Sequence, residues 1–206
     1  MSSRQYQRED KIQNILNAAV EAFAESGYHH CHVSKIAQRA GVADGTIYLY
    51  FKNKEEILIR LFHVRMGEFI SNLKLNLKKC TNTYERLHYI VNNHFSYMEN
   101  NRSMAFVTQF ELRQSDPQIR ESINGPLIEY FKVIEEVIQT GIDNGESPHI
   151  DVKVARQLIF GALDEATSDW VKSRTQRSLI SEVHIMLDFF VGAFRLGHCH
   201  TDLEEK

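Results

Sequence analysis

No run of eighteen or more apolar residues occurs anywhere in the 206-residue chain, so no segment is oily enough to form a membrane-spanning helix. The opening Met1-Ser2-Ser3-Arg4-Gln5-Tyr6 lacks the apolar core of a secretory leader, and the expectation is a soluble cytoplasmic protein with no membrane partner. Cysteine is scarce: Cys31, Cys80 and Cys199 are odd in number and scattered, which argues against a disulfide framework and suits a reducing compartment. Three prolines, ten glycines and no useful apolar–polar alternation leave little room for strands. Glycine-rich phosphate loops are missing, and no serine or cysteine sits in a nucleophile motif. The adjacent acids Asp164 and Glu165 would point about 100° apart on a helix, not at one substrate. An enzyme is therefore set aside, with no catalytic residue and no cofactor expected.

Charge of one sign is also lacking. The net charge of −3 does not by itself mark a nucleic-acid binder. Its distribution is more telling: residues 1–54 carry seven Lys/Arg against five Asp/Glu, a balance of +2 that leaves −5 for the remainder.

What is present is helical periodicity, and the fold class is all-α. Ile12, Ile15, Leu16, Ala19, Val20 and Phe23 form one stripe, and Gly27 stops it, giving a helix over about residues 9–26. Ser34 can cap a short helix through Ala40, Gly41 can turn the chain, and Asp44 can cap a helix over Gly45–Tyr50. The pattern then predicts helices from residue 54 to about Leu77, over Tyr84–Glu99 and Arg102–Gln114, and from Pro117 to residue 143, the last kinked or broken at Asn124-Gly125-Pro126. After the loop Asn144-Gly145-Glu146-Ser147-Pro148 come helices over 151–173 and 178–196. The domain reading is residues 1–53 and 54–197, rigidly joined by the helix from Asn53, with 198–206 as a disordered tail.

Within Val33–Phe51 each special position has a physical task. Ala37 is small enough for two helices to cross closely, Gly41 makes the turn, and Ile36, Val42, Ile47 and Phe51 can share a core. That leaves Gly45, Thr46, Tyr48 and Leu49 free to enter a DNA major groove, where Thr can touch a thymine methyl and Tyr can reach base or phosphate. Lys52 and Lys54 follow at positions suited to phosphates, as does Ser34 at a helix start. An aromatic-rich exposed face followed by Lys-Asn-Lys calls for a partner. The partner expected is double-stranded palindromic operator DNA.

Residues 10–60 resemble the TetR-family DNA-binding domain, above all the run Gly41-Val42-Ala43-Asp44-Gly45-Thr46-Ile47-Tyr48-Leu49-Tyr50-Phe51-Lys52-Asn53-Lys54-Glu55. The resemblance implies a nine-helix fold, a homodimer built from the last two helices (151–173 and 178–196), and a ligand cavity in the second domain. It also implies phosphate contacts at Ser34, Tyr50 and Lys54 and base reading at Gly45, Thr46 and Tyr48.

The second half offers aromatic and flexible apolar volume more than polar chemistry. Phe69, Phe95, Met98, Phe106, Phe110, Phe131, Ile134, Ile138, Phe160 and Trp170 are either core packing or the lining of an oily cavity suited to an acyl chain. Arg113, together with Arg102, Arg120 and Lys132, can meet a phosphate or carboxylate at its mouth. Val107–Ser115 and Ala155–Glu165 resemble the fatty-acid-degradation regulators of Bacillus-type bacteria, which implies a repressor released from DNA by a long-chain acyl-CoA effector. No short motif carries that group's ligand contacts, so the ligand residues rest on chemistry alone. A drug-like or other apolar effector is the alternative. His29-His30-Cys31-His32 has metal-binding residue types, but adjacent residues rarely converge on one ion, and no metal is expected.

Overall fold

The computed structural model describes residues 3–113, 116–175 and 177–196. These contain nine α-helices and no strand: α1 Ser3–Ser26, α2 Val33–Arg39, α3 Asp44–Ile47, α4 Lys54–Leu77, α5 Thr83–Asn100, α6 Arg102–Phe106, α7 Pro117–Asp143, α8 Val152–Lys172 and α9 Val183–Phe194. A π-helical stretch, Val107–Glu111, follows α6, and a 3₁₀ turn, Ile180–Glu182, precedes α9. The chain divides into two compact units, one of residues 1–68 and 101–127, the other of 69–100 and 128–206. Residues 54–68 and 101–127 thus pack with the first fifty-three. The tail at 198–206 lies outside the described residues.

In the first unit α1 lies against α2, α6 and the π-helical stretch. Ile15, Leu16, Ala19, Phe23, Ile36, Ile47, Ile57 and Leu58 are fully buried there and form its core. α1 starts about six residues earlier than the apolar stripe suggested, because the polar residues before that stripe include no helix breaker. Two expected caps are corrected. α2 begins at Val33 with His32 as its N-cap, α3 begins at Asp44 with Ala43 as its N-cap, and neither Ser34 nor Asp44 makes a capping bond.

Of the kink or break expected at Asn124-Gly125-Pro126, the break does not occur: α7 runs through Pro126. Proline has no N–H for the carbonyl four residues earlier. That carbonyl belongs to Ser122, and His63 Nε2 on α4 takes it at 2.7 Å. The His63 ring thereby supplies the donor that the helix is missing. The expected helix over Arg102–Gln114 also differs: it widens into a π-helix after Phe106, with Leu112 N–H donating to Val107 O at 3.1 Å, five residues back.

In the second unit α5 packs on both α8 and α9. α8 is capped by Asp151, whose Oδ1 accepts from Val154 N–H at 3.0 Å. Where α7 ends, Gly141 lies so close to α5 that a Cβ there would stand 2.6 Å from Thr83 Oγ1 and 2.9 Å from Thr83 Cγ2. Thr83 is buried in close-packed surroundings, so its side chain has little room to give way. We expect Gly141→Ala to lose about 1–3 kcal/mol to overpacking, more than the ~1 kcal/mol that alanine returns in helix propensity. Urea denaturation checks this, with Gly67→Ala as control: Gly67 is also helical, but open space surrounds its Cβ position, so that variant should be neutral or slightly stabilised.

Candidate nucleic-acid interface and effector region

The crossing of α2 and α3 is set by backbone geometry. Ala40 N–H closes α2 on Ile36 O, and Val42 N–H reaches back to Ala37 O at 3.0 Å. Gly41 sits between them at φ +64°, a conformation that glycine adopts without strain. Asn14 Nδ2 donates to Ala40 O at 2.8 Å and pins this corner to α1. Ile36, Ala37, Ile47 and Phe51 fill the shared core, and Val42 is only half-buried. After Ile47, turn bonds from Leu49, Tyr50 and Phe51 N–H groups carry the helical path on to Phe51.

The outer face is left in solvent. Tyr48 is 57 % exposed and Leu49 75 %, Gly45 is exposed with open space around it, and Thr46 and Tyr50 are half-buried. Ser34 and Lys52 are exposed beside them. Lys54 differs from its expected role as a free phosphate contact. Its ammonium donates to the carbonyls of Tyr28 (2.6 Å), His29 (3.1 Å) and Cys31 (3.0 Å) and lies 4.6 Å from the Tyr28 ring centroid. An ammonium has three N–H donors, and these three carbonyls can occupy them all. Lys54 therefore braces the α1–α2 loop from α4. The same loop is held from its other side, where Glu111 Oε2 in the π-helical stretch accepts from Tyr28 N–H at 2.7 Å.

Two cations that the sequence reading left unassigned belong to this region. Arg8 and Lys11 of α1 line an open groove of about 790 Å³ together with Gln7, Asp10, Asn14, Leu49 and Tyr50. The signal was there in the basic residues of an exposed helical turn, but only the fold brings them beside Tyr50. In the His29–His32 cluster Cys31 is buried while the three histidines face outward. Among the described residues no group of three or more metal-ligating side chains converges.

The expected ligand residues fall in both units. Phe106, Phe110 and Arg113 lie in the first, where the Phe106 and Phe110 rings are 5.0 Å apart and half-buried beside the π-helical turn, and Arg113 is exposed. The second unit holds Phe69, Phe95, Met98, Phe131, Ile134, Phe160 and Trp170. There Phe131 stacks edge-on to Phe160 at 4.7 Å, and Phe69 meets Tyr130 at 5.3 Å and Tyr97 at 5.1 Å. Phe95, Met98 and Ile134 are buried core, while Trp170 is buried with its indole N–H donating to Arg177 O at 2.8 Å. The cation that reaches this aromatic group is Arg156, whose guanidinium lies 4.5 Å over the Phe131 ring and whose Nε is 3.2 Å from Glu135. Arg156 was not among the basic residues expected at a cavity mouth. Arg102 and Arg120 belong to the first unit, and Lys132 is exposed in the second.

Sequence reasoning also missed a buried polar chain at the centre of the second unit. His94 lies between Tyr130 OH, 3.2 Å from Nδ1, and Thr167 Oγ1, 3.3 Å from Nε2. The Thr167 hydroxyl donates to Leu163 O at 2.8 Å, so it must accept from His94 Nε2–H, which leaves Nδ1 to accept from the tyrosine. Burial holds the His94 pKa down to about 4 from its ordinary 6.5, against a smaller upward pull from Asp164, and burial also pushes the Tyr130 phenol up. The sign follows. Between pH 6.5 and 4 the unfolded chain takes up a proton that the folded imidazole refuses, so this contribution is complete above 6.5 and is lost as pH falls toward 4. We expect His94 to remove on the order of 3 kcal/mol of stability over that window, and denaturation midpoints of wild type and His94→Gln between pH 7 and 4 measure it.

The outer faces of α8 and α9 carry apolar residues at helical spacing. Val154, Leu158 and Gly161 line one helix and Ile185, Phe189 and Gly192 the other, with Leu158 58 % and Phe189 76 % exposed. No helix among the described residues is long and apolar enough to cross a membrane.

Residues 15–61 match the family described as bacterial regulatory proteins, tetR family, and residues 62–193 match the C-terminal region of YsiA-like proteins. The fatty acid metabolism regulator protein of Bacillus subtilis is 44 % identical over 186 residues, spanning 90 % of this chain and 96 % of that one. The crystal structure of FadR from Bacillus subtilis in complex with stearoyl-CoA superposes with a TM-score of 0.84, covering 87 % of this chain and 97 % of that one. FadR from Bacillus halodurans, 41 % identical, gives the same score and the same coverage.

Proposed function

As the chain belongs to the TetR family of transcriptional regulators, we propose that it is a dimeric cytoplasmic repressor of fatty-acid degradation genes, released from palindromic operator DNA by long-chain acyl-CoA. The observation that carries this reading is the 44 % identity to a fatty acid metabolism regulator over 96 % of that protein's length, since a relative of similar sequence is known with stearoyl-CoA bound.

In this reading Thr46, Tyr48 and Gly45 face the base edges, while Tyr50, Ser34, Lys52, Arg8 and Lys11 meet phosphates. Lys54 acts indirectly by holding the loop that orients α2. The unpartnered faces of α8 and α9 meet their copies across a two-fold axis, because a homodimer interface presents the same patch from both chains. That axis sets the separation of the two recognition faces, which must reach half-sites about 34–36 Å apart or multiples of that.

The effector works only through its differential affinity for two conformers, and a hundredfold loss of DNA binding needs about 2.7 kcal/mol of coupling. Glu111 gives that coupling a physical route. An acyl chain that shifts the Phe106–Phe110 pair moves a π-helical turn whose carboxylate grips the α1–α2 loop. A mobility-shift titration of DNA from upstream of a fatty-acid-oxidation gene, with and without stearoyl-CoA, tests the whole reading. Release by stearoyl-CoA but not by free CoA is the expected outcome; a complex unmoved by any acyl-CoA would leave a DNA-binding regulator of some other effector.

A further inference from the structure

Among the described residues of the first unit, the large apolar side chains left in solvent are Tyr6, Tyr48 and Leu49, and Leu49 is the most exposed of them at 75 %. Each tyrosine carries a hydroxyl that water or a phosphate oxygen can satisfy, whereas leucine has no polar atom at all. A solitary exposed leucine needs no partner. This one directly follows Tyr48 on the surface proposed to meet DNA, so its chemistry bears on which base pairs that surface accepts.

The place of Leu49 on the helical path narrows the choice of partner. Its N–H donates to Thr46 O at 3.2 Å, three residues back, in a tight turn where side chains three apart line up on one face. One turn before it stands Gly45, exposed and with open space where a Cβ would be. Leu49 therefore borders a gap on the face whose other members, Gly45 and Thr46, meet base edges in the proposed function. It also shares the open groove with Arg8, Lys11 and Tyr50, so a strand whose phosphates rest on those cations runs past it. In the major groove the apolar group at a base edge is the C5 methyl of thymine. The other apolar surface of DNA, the deoxyribose, is the same at every base and carries no sequence information.

We infer that Leu49 is a specificity-determining residue that reads the methyl group of one thymine in each operator half-site, in the space that Gly45 leaves open. The inference rests on the DNA-binding part of the proposed function and does not depend on the effector.

Uracil differs from thymine by that methyl alone, which makes a uracil scan the test. DNA from upstream of a fatty-acid-oxidation gene is prepared with uracil in place of one thymine at a time, and mobility shift measures its affinity for wild type and for Leu49→Ala. One symmetry-related pair of thymines should emerge at which uracil weakens wild type about fourfold, the worth of one buried methyl, yet leaves Leu49→Ala unchanged. Every other thymine sensitivity of wild type should persist in the variant. With its side chain 75 % exposed, Leu49→Ala should keep the wild-type thermal unfolding midpoint. A variant that retains all the thymine sensitivities of wild type overturns the assignment, as does a wild type indifferent to every uracil. A loss in Leu49→Ala that is equal on specific and non-specific DNA overturns it too, by placing Leu49 on the deoxyribose. In each of these cases the repressor reading stands if stearoyl-CoA releases wild type from the unmodified DNA. If wild type does not bind that DNA, the assignment falls together with the proposed function.

Discussion

Phe189→Asp is expected to convert the proposed dimer into monomers and thereby to abolish the tight operator binding proposed for it. Phe189 is 76 % exposed on α9, in line with Ile185 and Gly192, and α8 presents Val154, Leu158 and Gly161 in the same spacing. Side chains of this size each gain about 1.5–3 kcal/mol on full burial, which a second copy would supply. A two-fold interface repeats every substitution, so one aspartate becomes two unpaired charges taken from water at about 3 kcal/mol or more each. The dimer dissociation constant should rise by about 10⁴ or more. Each monomer would then bind one half-site without the effective concentration that linkage supplies, a loss of about 10²–10⁴ in operator affinity. Sedimentation velocity reads the first effect and mobility shift the second. A variant that remains dimeric would move the interface off this face, and the unchanged helical signal of a folded monomer would show that the core is intact.

Tyr48→Ala should weaken operator binding almost as severely while leaving the proposed dimer untouched. The side chain is 57 % exposed, so its loss should cost little stability. A base contact is worth about 1–3 kcal/mol and occurs twice per dimer, so operator affinity should fall from about 30-fold to more than 10⁴-fold. Non-specific DNA should be affected much less, because phosphate contacts supply that binding. A uniform loss on specific and non-specific DNA would instead assign Tyr48 to the phosphates. Wild-type affinity would remove α3 from the groove.

The helix-turn-helix was legible because its constraints are local. Gly41 at φ +64° and the buried Ile36, Ala37, Ile47 and Phe51 all act within fifteen residues of one another, and their spacing alone implies two short helices crossing closely. What was hidden in the sequence depends on partners far along the chain. Lys54 has the composition of a phosphate contact, yet its charge serves carbonyls 23 to 26 residues upstream. Asn124-Gly125-Pro126 reads as a helix break, yet His63, 59 residues before Ser122, satisfies the carbonyl that proline leaves bare. The aromatic residues of the second half were correctly seen as apolar volume. His94 was not singled out, since a lone histidine on an apolar face carries no sign of the Tyr130 and Thr167 that flank it 36 and 73 residues away.

Trp170 reads from the sequence as core packing or cavity lining, and its position gives the protein a built-in optical probe. It is the chain's one tryptophan, only 5 % exposed, and its indole N–H is anchored to the carbonyl of Arg177 just past the end of α8. All tryptophan emission therefore comes from a single buried, hydrogen-bonded site on a helix that the dimer is proposed to share. Native protein should fluoresce at short wavelength and shift to the red only when that corner opens. Unfolding there, separately from the rest of the chain, can be followed in unlabelled protein.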